Sequence, residues 1–484
     1  MAPEFSATAP FSFVLFGASG NLAKLKIYPA LYTLALKKRL PKDYVIVGFS
    51  RTPMTDEEFR ALVRTAVIAE MIEVNESVLS AFLSHLHYHS GQYDNAEDFA
   101  LLERSLSTWE EGWGQTVRLA YLSIPPSVFQ PTVKNLCIGK IRKEGMPFRC
   151  IVEKPVGHDL KSFEGIRTTL LECFPEDEIY LLDHYLGKEA VRNVYYLRFA
   201  NPVLERLFKN TLVHHVEITA AESLGLEGRG GYFEHTGTFR DFFQSHLLMI
   251  VSLLTMRLRE ENDSFRDSRK NALEQIYLPA AAHLSDVILQ GQYTAGKIGG
   301  GDVSGYREEE GIDAHSRTNT YAALKLLTRI SRWEGIPFYL RSGKRLARKE
   351  TRISVEFQET HPVGPGSTKN RLDIILQGEA GMRFYLQTKI GGTEPSFRPL
   401  IMSDPLVCFG DCLPEHSLLL LEAIHGKQQW FLTFEEVRSA WRLIDPLQAH
   451  LDKPDTPLSL YPAGSNGPIE AEAWMEREGV QWME

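Results

Sequence analysis

Short apolar runs alternate with longer stretches of helical spacing through the first part of the chain. Phe11–Phe16, Tyr44–Phe49, Val117 to Ile124, Arg149 to Glu153 and Ile179–Leu182 have the length and apolar content of buried strands. Between them, Tyr28, Leu31 and Leu34 recur at the helical period, and Asp56 to about Leu106 reads as mostly helical. Strands that alternate with helices predict a parallel sheet covered on both faces. Beyond residue 183 the pattern changes. Val213 to Thr219, Ile336 to Lys344, Arg352 to Phe357, Leu372 to Gln377, Met382 to Thr388 and Leu406 to Phe409 are strand-like and separated by longer helices, which predicts an antiparallel or mixed sheet.

At 484 residues the chain exceeds what one hydrophobic core organises, so two domains are expected. The predicted fold class is α/β plus α+β. A Rossmann-like doubly wound domain over residues 1–182 precedes a larger domain over 183–484, with a mostly antiparallel sheet and helices, for substrate binding and oligomerisation. The net charge of −9 argues against a nucleic-acid partner, because neutralising phosphates needs a surplus of Lys and Arg. An anionic ligand therefore needs a local basic pocket. Five scattered cysteines, with one C-x3-C pair at Cys408 and Cys412, point to reduced thiols. The N-terminus lacks a basic region, and the longest apolar stretch, Leu247 to Met256, is about half a membrane span. The expectation is a soluble cytoplasmic protein without a membrane partner.

The first strand runs into Gly17-Ala18-Ser19-Gly20-Asn21-Leu22-Ala23, a glycine turn opening a helix. Backbone N–H groups and the helix dipole at such a turn favour a pyrophosphate. The spacing is G-x-x-G-x-x-A, not the common G-x-G-x-x-G, so a tight turn that binds nothing stays open. The second strand ends in Ser50-Arg51-Thr52, where an NAD site would place an acid to accept from the ribose. A guanidinium beside the Thr52 hydroxyl suits a 2′-phosphate and points to NADP; an Arg on a solvated loop is the alternative. Glu153-Lys154-Pro155 puts a charged pair at the carboxyl edge of the sheet, with a candidate cis Lys154–Pro155 bond. His85, His87 and His89 would share one face of a strand, yet no acid or cysteine at ligand spacing accompanies them, so an ordinary polar face is expected.

The densest chemistry is Asp183-His184-Tyr185-Leu186-Gly187-Lys188-Glu189. If this segment is helical, His184 and Lys188 stand four apart on one face and converge on an anion. Further on, a glycine loop from Gly225 to Tyr232 precedes a helix with Phe239, Phe243, Ile250 and Leu254 on its apolar seam. His246 lies on that seam. It is a candidate general base with Asp183 to fix its tautomer, or else a buried core histidine. Asp241 precedes it by five positions, about 140° round an ideal α-helix, which places Asp241 at the helix start or its edge and not beside His246. Glu308 to Glu310 read as a solvated acidic turn.

Gly17 to Lys24, Val47 to Arg51, Glu153 to Gly157, the Asp183 heptad, Glu227 to Phe233 and Arg341 to Lys344 occur in order at compatible spacing, and together resemble the glucose-6-phosphate dehydrogenase family. The resemblance covers nearly the whole chain, and the heptad is its most specific stretch. It implies NADP-dependent oxidation of glucose 6-phosphate at C1 to the 6-phospho-1,5-lactone, with no metal. It implies His246 as base and Asp183 as its partner; His184, Tyr185 and Lys188 on the phosphate; and Glu222, Asp241, Lys154, Lys344 and Lys349 completing the sugar site. Gly17, Ser19, Gly20, Asn21, Leu22, Arg51, Thr52 and Lys154 would contact the dinucleotide. A homodimer or homotetramer built through the second sheet is implied as well.

Asn21 stands where many members have Asp but keeps a side chain able to cap the helix, and Ser223 replaces a usual proline after Glu222. Glu350 and Ser354 stand where animal members place basic residues for a second, structural NADP, so no second site is expected. A relative acting on another anionic hexose or preferring NAD, and an inactive nucleotide-binding regulator, are the alternatives.

Overall fold

β1 (Phe11–Phe16) is buried at every position, as its unbroken apolar sequence requires of a strand covered on both faces. The computed structural model describes residues 9–143, 145–228, 230–258, 264–281, 283–359, 368–394 and 396–483. β1, β2 (Tyr44–Ser50), β3 (Leu86–Ser90), β4 (Val117–Leu122), β5 (Phe148–Glu153) and β6 (Ile179–Leu182) form a parallel sheet in the order β3-β2-β1-β4-β5-β6. The order reverses between β1 and β4, and doubly wound sheets bind ligands outside the carboxyl ends at such a switch. The helix Asp56–Glu70 opens on a capping box in which Thr55 and Glu58 satisfy each other's backbone N–H groups.

The chain divides into two compact units, Met1–Lys188 with Cys408–Phe434, and Glu189–Val407 with Glu435–Glu484. The sequence pattern places one seam at residue 182 and carries no sign of the returning segment. That segment is tied in by tertiary bonds: Arg149 Nη1 donates to Ala423 O at 2.7 Å, Leu432 N to Leu181 O at 2.9 Å, and Ser417 Oγ to Ala30 O at 3.2 Å. Cys408 and Cys412 are joined as a disulfide where reduced thiols were expected, because the turn between them brings their Cα atoms to 6.0 Å.

The second unit holds a mixed sheet. Its strands are β7 (Val213–Ala221), β8 (Ile276–Tyr277), β9 (Ile288–Thr294), β12 (Tyr321–Thr328), β13 (Phe338–Gly343), β14 (Glu350–Phe357), β15 (Arg371–Gln377), β16 (Gly381–Lys389), β17 (Phe397–Pro405) and β18 (Ser459–Pro462); a separate hairpin pairs β10 (Gly296–Ile298) with β11 (Gly301–Val303). The order is β17-β16-β15-β14-β7-β13-β12-β9-β18, with β8 on β12. Neighbours are antiparallel except β7 with β13 and β9 with β18. Leu406 to Phe409, expected as a strand, is not one: the strand lies earlier, at β17, and ends on Pro405, which has no N–H to extend the ladder. Among the described residues no helix is long and apolar enough to cross a membrane.

Candidate active site

In the first unit the glycine turn leaves β1 at the switch point. Gly17 has φ +87°, and a Cβ there would lie 2.0 Å from Ser123 O at the end of β4. Gly17 N donates to Phe49 O and Ser123 N to Phe16 O, so the ends of three strands are stitched around this residue. Only glycine fits. Ser19 Oγ and Ser50 Oγ are 3.0 Å apart, and Ser50 is held in turn by Tyr88 OH at 2.9 Å. Arg51 is exposed with its guanidinium 5.8 Å from the Tyr93 ring, and Thr52 is exposed beside it. Burial raises the Tyr93 phenol, with Arg51 pulling it back down. Asn21 and Leu22 are already helical, and the helix runs on through a π-helical segment, Ala23–Ile27.

The three histidines around β3 are each used separately. His85 stacks on Tyr44 at 4.0 Å, His87 Nδ1 pairs with Asp56 Oδ2 at 2.7 Å, and His89 stacks on Phe49 at 5.6 Å. Glu153 at the end of β5 is largely but not fully buried and accepts a hydrogen bond from Tyr121 OH, and desolvation holds its carboxyl above the ordinary value. The following Lys154–Pro155 bond is cis, as the sequence suggested.

The heptad departs from its expected form. His184–Gly187 is a single 3₁₀ turn capped by Asp183 Oδ1, which accepts from Tyr185 N at 2.9 Å, and Lys188 is already extended. No helical face therefore aligns His184 with Lys188. Instead the Lys188 ammonium sits 3.8 Å from the Tyr185 ring centroid, and His184 stacks on His416 at 6.1 Å. Gly187 leaves no room for a side chain, since a Cβ would meet Glu415 O at 2.5 Å.

In the second unit β7 and β13 run parallel with Ala221 opposite Gly343, so the residues that follow emerge together. Lys344 Nζ donates to Glu222 Oε2 at 2.6 Å and lies 5.0 Å from the Phe233 ring. Lys344 is buried, and its backbone is pinned by Thr320 O and by Tyr461 OH. Leu226, Tyr232, Phe233, Asp241 and Lys344 line one cleft. Lys349 is exposed at the foot of β14 and is not among that lining. Arg229, in the glycine loop, lies outside the described residues. Glu309, read as part of a solvated turn, instead accepts from Tyr293 OH at 2.5 Å, with Arg345 3.6 Å away.

Phe239–Leu247 is wound as a π-helix. At roughly 4.4 residues per turn, five positions advance little more than one turn, so Asp241 and buried His246 come to nearly the same side. The 140° offset expected of an α-helix does not hold. Asn319 was not anticipated from sequence: its Oδ1 accepts from Phe239 N at 2.9 Å and its O from Thr238 N at 2.9 Å, fixing the start of this segment.

Two family models cover the chain: "Glucose-6-phosphate dehydrogenase, NAD binding domain" over residues 14–193 and "Glucose-6-phosphate dehydrogenase, C-terminal domain" over 195–483. The chain belongs to the glucose-6-phosphate dehydrogenase family. It is 36% identical to glucose-6-phosphate 1-dehydrogenase of Chlamydia pneumoniae, over 98% of this chain and 96% of that protein. It is 34% identical to the Mycolicibacterium smegmatis enzyme, over 99% and 98%. A solved glucose-6-phosphate dehydrogenase in complex with its substrate glucose-6-phosphate matches with TM-score 0.90 at 29% identity, covering 99% of this chain and 100% of the other.

As a glucose-6-phosphate dehydrogenase family member, the chain carries a nicotinamide dinucleotide domain in its first unit. The turn at Gly17 fits that group by its place: it leaves β1 at the sheet's switch point, where doubly wound folds bind dinucleotides, and it is kept tight because a Cβ at Gly17 or Gly20 would lie 2.0 or 3.0 Å from backbone oxygens.

Proposed function

We propose that the protein oxidises glucose 6-phosphate at C1 to 6-phospho-glucono-1,5-lactone with NADP. The carrying observation is the 2.6 Å pair of Lys344 and Glu222 beside Asp241, a charged and half-enclosed cleft suited to sugar hydroxyls. When bound, NADP supplies the acceptor for the hydride that leaves C1. His246 takes the hydroxyl proton as the C1–O bond becomes a carbonyl, and Asp183 orients the imidazole and stabilises its charged form. His184, Tyr185 and Lys188 hold the phosphate through charge-assisted bonds. Glu222 and Asp241 accept from the sugar hydroxyls, while Lys154, Lys344 and Lys349 complete the site. Gly17, Ser19, Gly20, Asn21 and Leu22 hold the pyrophosphate end.

Arg51 and Thr52 are the residues proposed to select NADP. The exposed guanidinium, backed by Tyr93, is free to meet a 2′-phosphate bidentately, and no acid occupies the end of β2. We also propose a homodimer or homotetramer built through the second sheet, acting in the cytoplasm. Leu400, Ile401 and Met402 on β17 are exposed, and an edge strand with such residues on both faces calls for cover. The test is NADPH absorbance on mixing the protein with glucose 6-phosphate and NADP, repeated with NAD. No reduced cofactor at any pH would support the inactive-regulator reading.

A further inference from the structure

The β7–β14 ladder of the second unit carries a group of metal-ligand side chains with no part in the proposed oxidation. Glu356 pairs with His215, and the next pair in register is Phe357 with Val213, which makes His214 an extra residue on β7. An unbroken pleat would send His214 and His215 to opposite faces. A bulge re-aims the extra side chain. Here it brings His214 Nδ1 to 2.9 Å from His215 Nδ1 and 3.6 Å from Glu356 Oε1, while His215 Nδ1 stands 3.7 Å from the same oxygen. Donors of a tetrahedral zinc ion, each about 2.0–2.1 Å from the metal, are about 3.4 Å apart, so this triangle has ligand dimensions.

The support behind the triangle is also of the kind metal sites use. His215 Nε2 lies 3.2 Å from Glu217 Oε1, with both side chains almost fully buried, and Glu217 Oε2 accepts from Met483 N at 2.9 Å. A carboxylate behind an imidazole keeps the proton on that nitrogen and turns the lone pair of the other toward the ligand. With Nε2 protonated, the 2.9 Å contact between the two Nδ1 atoms needs a proton on His214, whose place an ion can take. Lys369 Nζ, 2.6 Å from Glu356 Oε1, is the cation now opposite the carboxylate; its side chain is 38% exposed on a flexible stem and can turn outward. His215, Glu356 and Lys369 line an open cavity through which an ion can enter.

We propose that His214, His215 and Glu356 bind one divalent transition-metal ion of the zinc class through two imidazole nitrogens and one carboxylate oxygen, with Glu217 as the residue that orients His215. The bound ion stiffens the bulge and, through Glu217 and Met483, the C-terminal residues packed on it. The test uses the full chain stripped with a chelator, then titrated with Zn²⁺ in equilibrium dialysis and with Co²⁺ in visible absorption. One ion per chain, a rise in Tm on binding and a Co²⁺ spectrum of nitrogen–oxygen ligation are expected. His214→Gln and Glu356→Gln are expected to lose the ion, Glu217→Gln to bind about 10–100-fold more weakly, and Lys369→Gln to bind more tightly. Absence of stoichiometric binding, or equal binding by His214→Gln and Glu356→Gln, overturns the proposal. NADPH formation by chelator-treated His214→Gln should equal that of chelator-treated wild type, which separates this site from the catalytic reading.

Discussion

Lys344 and Glu222, 122 positions apart, meet at 2.6 Å because β7 and β13 run parallel and end side by side. The ammonium is buried and the carboxylate partly open, so one partner is fixed and the other faces the cleft. Lys344→Ala should raise KM for glucose 6-phosphate by about 10–100-fold, the equivalent of about 1.5–3 kcal/mol for a charge-assisted bond. Steady-state kinetics check this, and an unchanged KM would remove Lys344 from the sugar site.

His246 is buried on a π-helical segment anchored by Asn319, a placement that holds an imidazole rigidly. His246→Asn should lower kcat by on the order of 10²–10⁴ while KM changes little, the signature of a group acting in the transition state. A fall in substrate affinity with kcat preserved would contradict the role of base.

Arg51 projects from the end of β2 over Tyr93. Arg51→Ala should reduce kcat/KM with NADP on the order of 10–100-fold and leave the value with NAD nearly constant. Equal losses with both cofactors would show that the guanidinium does not read the 2′-phosphate.

Gly17→Ala places a Cβ against Ser123 O at φ +87°. The backbone conformation alone costs about 1–2 kcal/mol. A lowered Tm together with loss of dinucleotide binding by fluorescence titration is expected; a variant that binds normally would exclude Gly17 as the floor of the cofactor cradle.

His89 stacks on Phe49, and its Nε2 is buried without a hydrogen-bond partner among the described residues. Burial lowers its pKa from 6.5, with Asp98 opposing. The unfolded chain takes up a proton near pH 6.5 that the folded protein resists, so this group reduces stability as pH falls through 6.5 toward the lower folded value. His89→Phe keeps the stack and removes the titration. Its Tm should fall less than that of wild type between pH 7 and 5; identical pH profiles would rule out this contribution.

Local pattern carried far in this chain. The unbroken apolar run Phe11–Phe16 is a strand buried at every position, and a glycine turn between it and a helix has few conformations open to it. The acids, histidines and lysines of the candidate site were visible as residue types beside such elements. Two features were invisible. The π winding of Phe239–Leu247, which undoes the offset between Asp241 and His246, follows from anchoring by Asn319 some 80 positions away. The 3₁₀ turn at His184–Gly187 is bounded by Gly187 pressed against Glu415, in a segment that returns to the first unit from far along the chain.

The sequence by itself determined which segments are buried and which residues could do chemistry, because periodicity and residue type are local properties. Only the tertiary structure decided which of those residues meet. Lys344 finds Glu222, and His214 finds His215 and Glu356, through strand pairing and a bulge whose register is set by packing across the whole sheet.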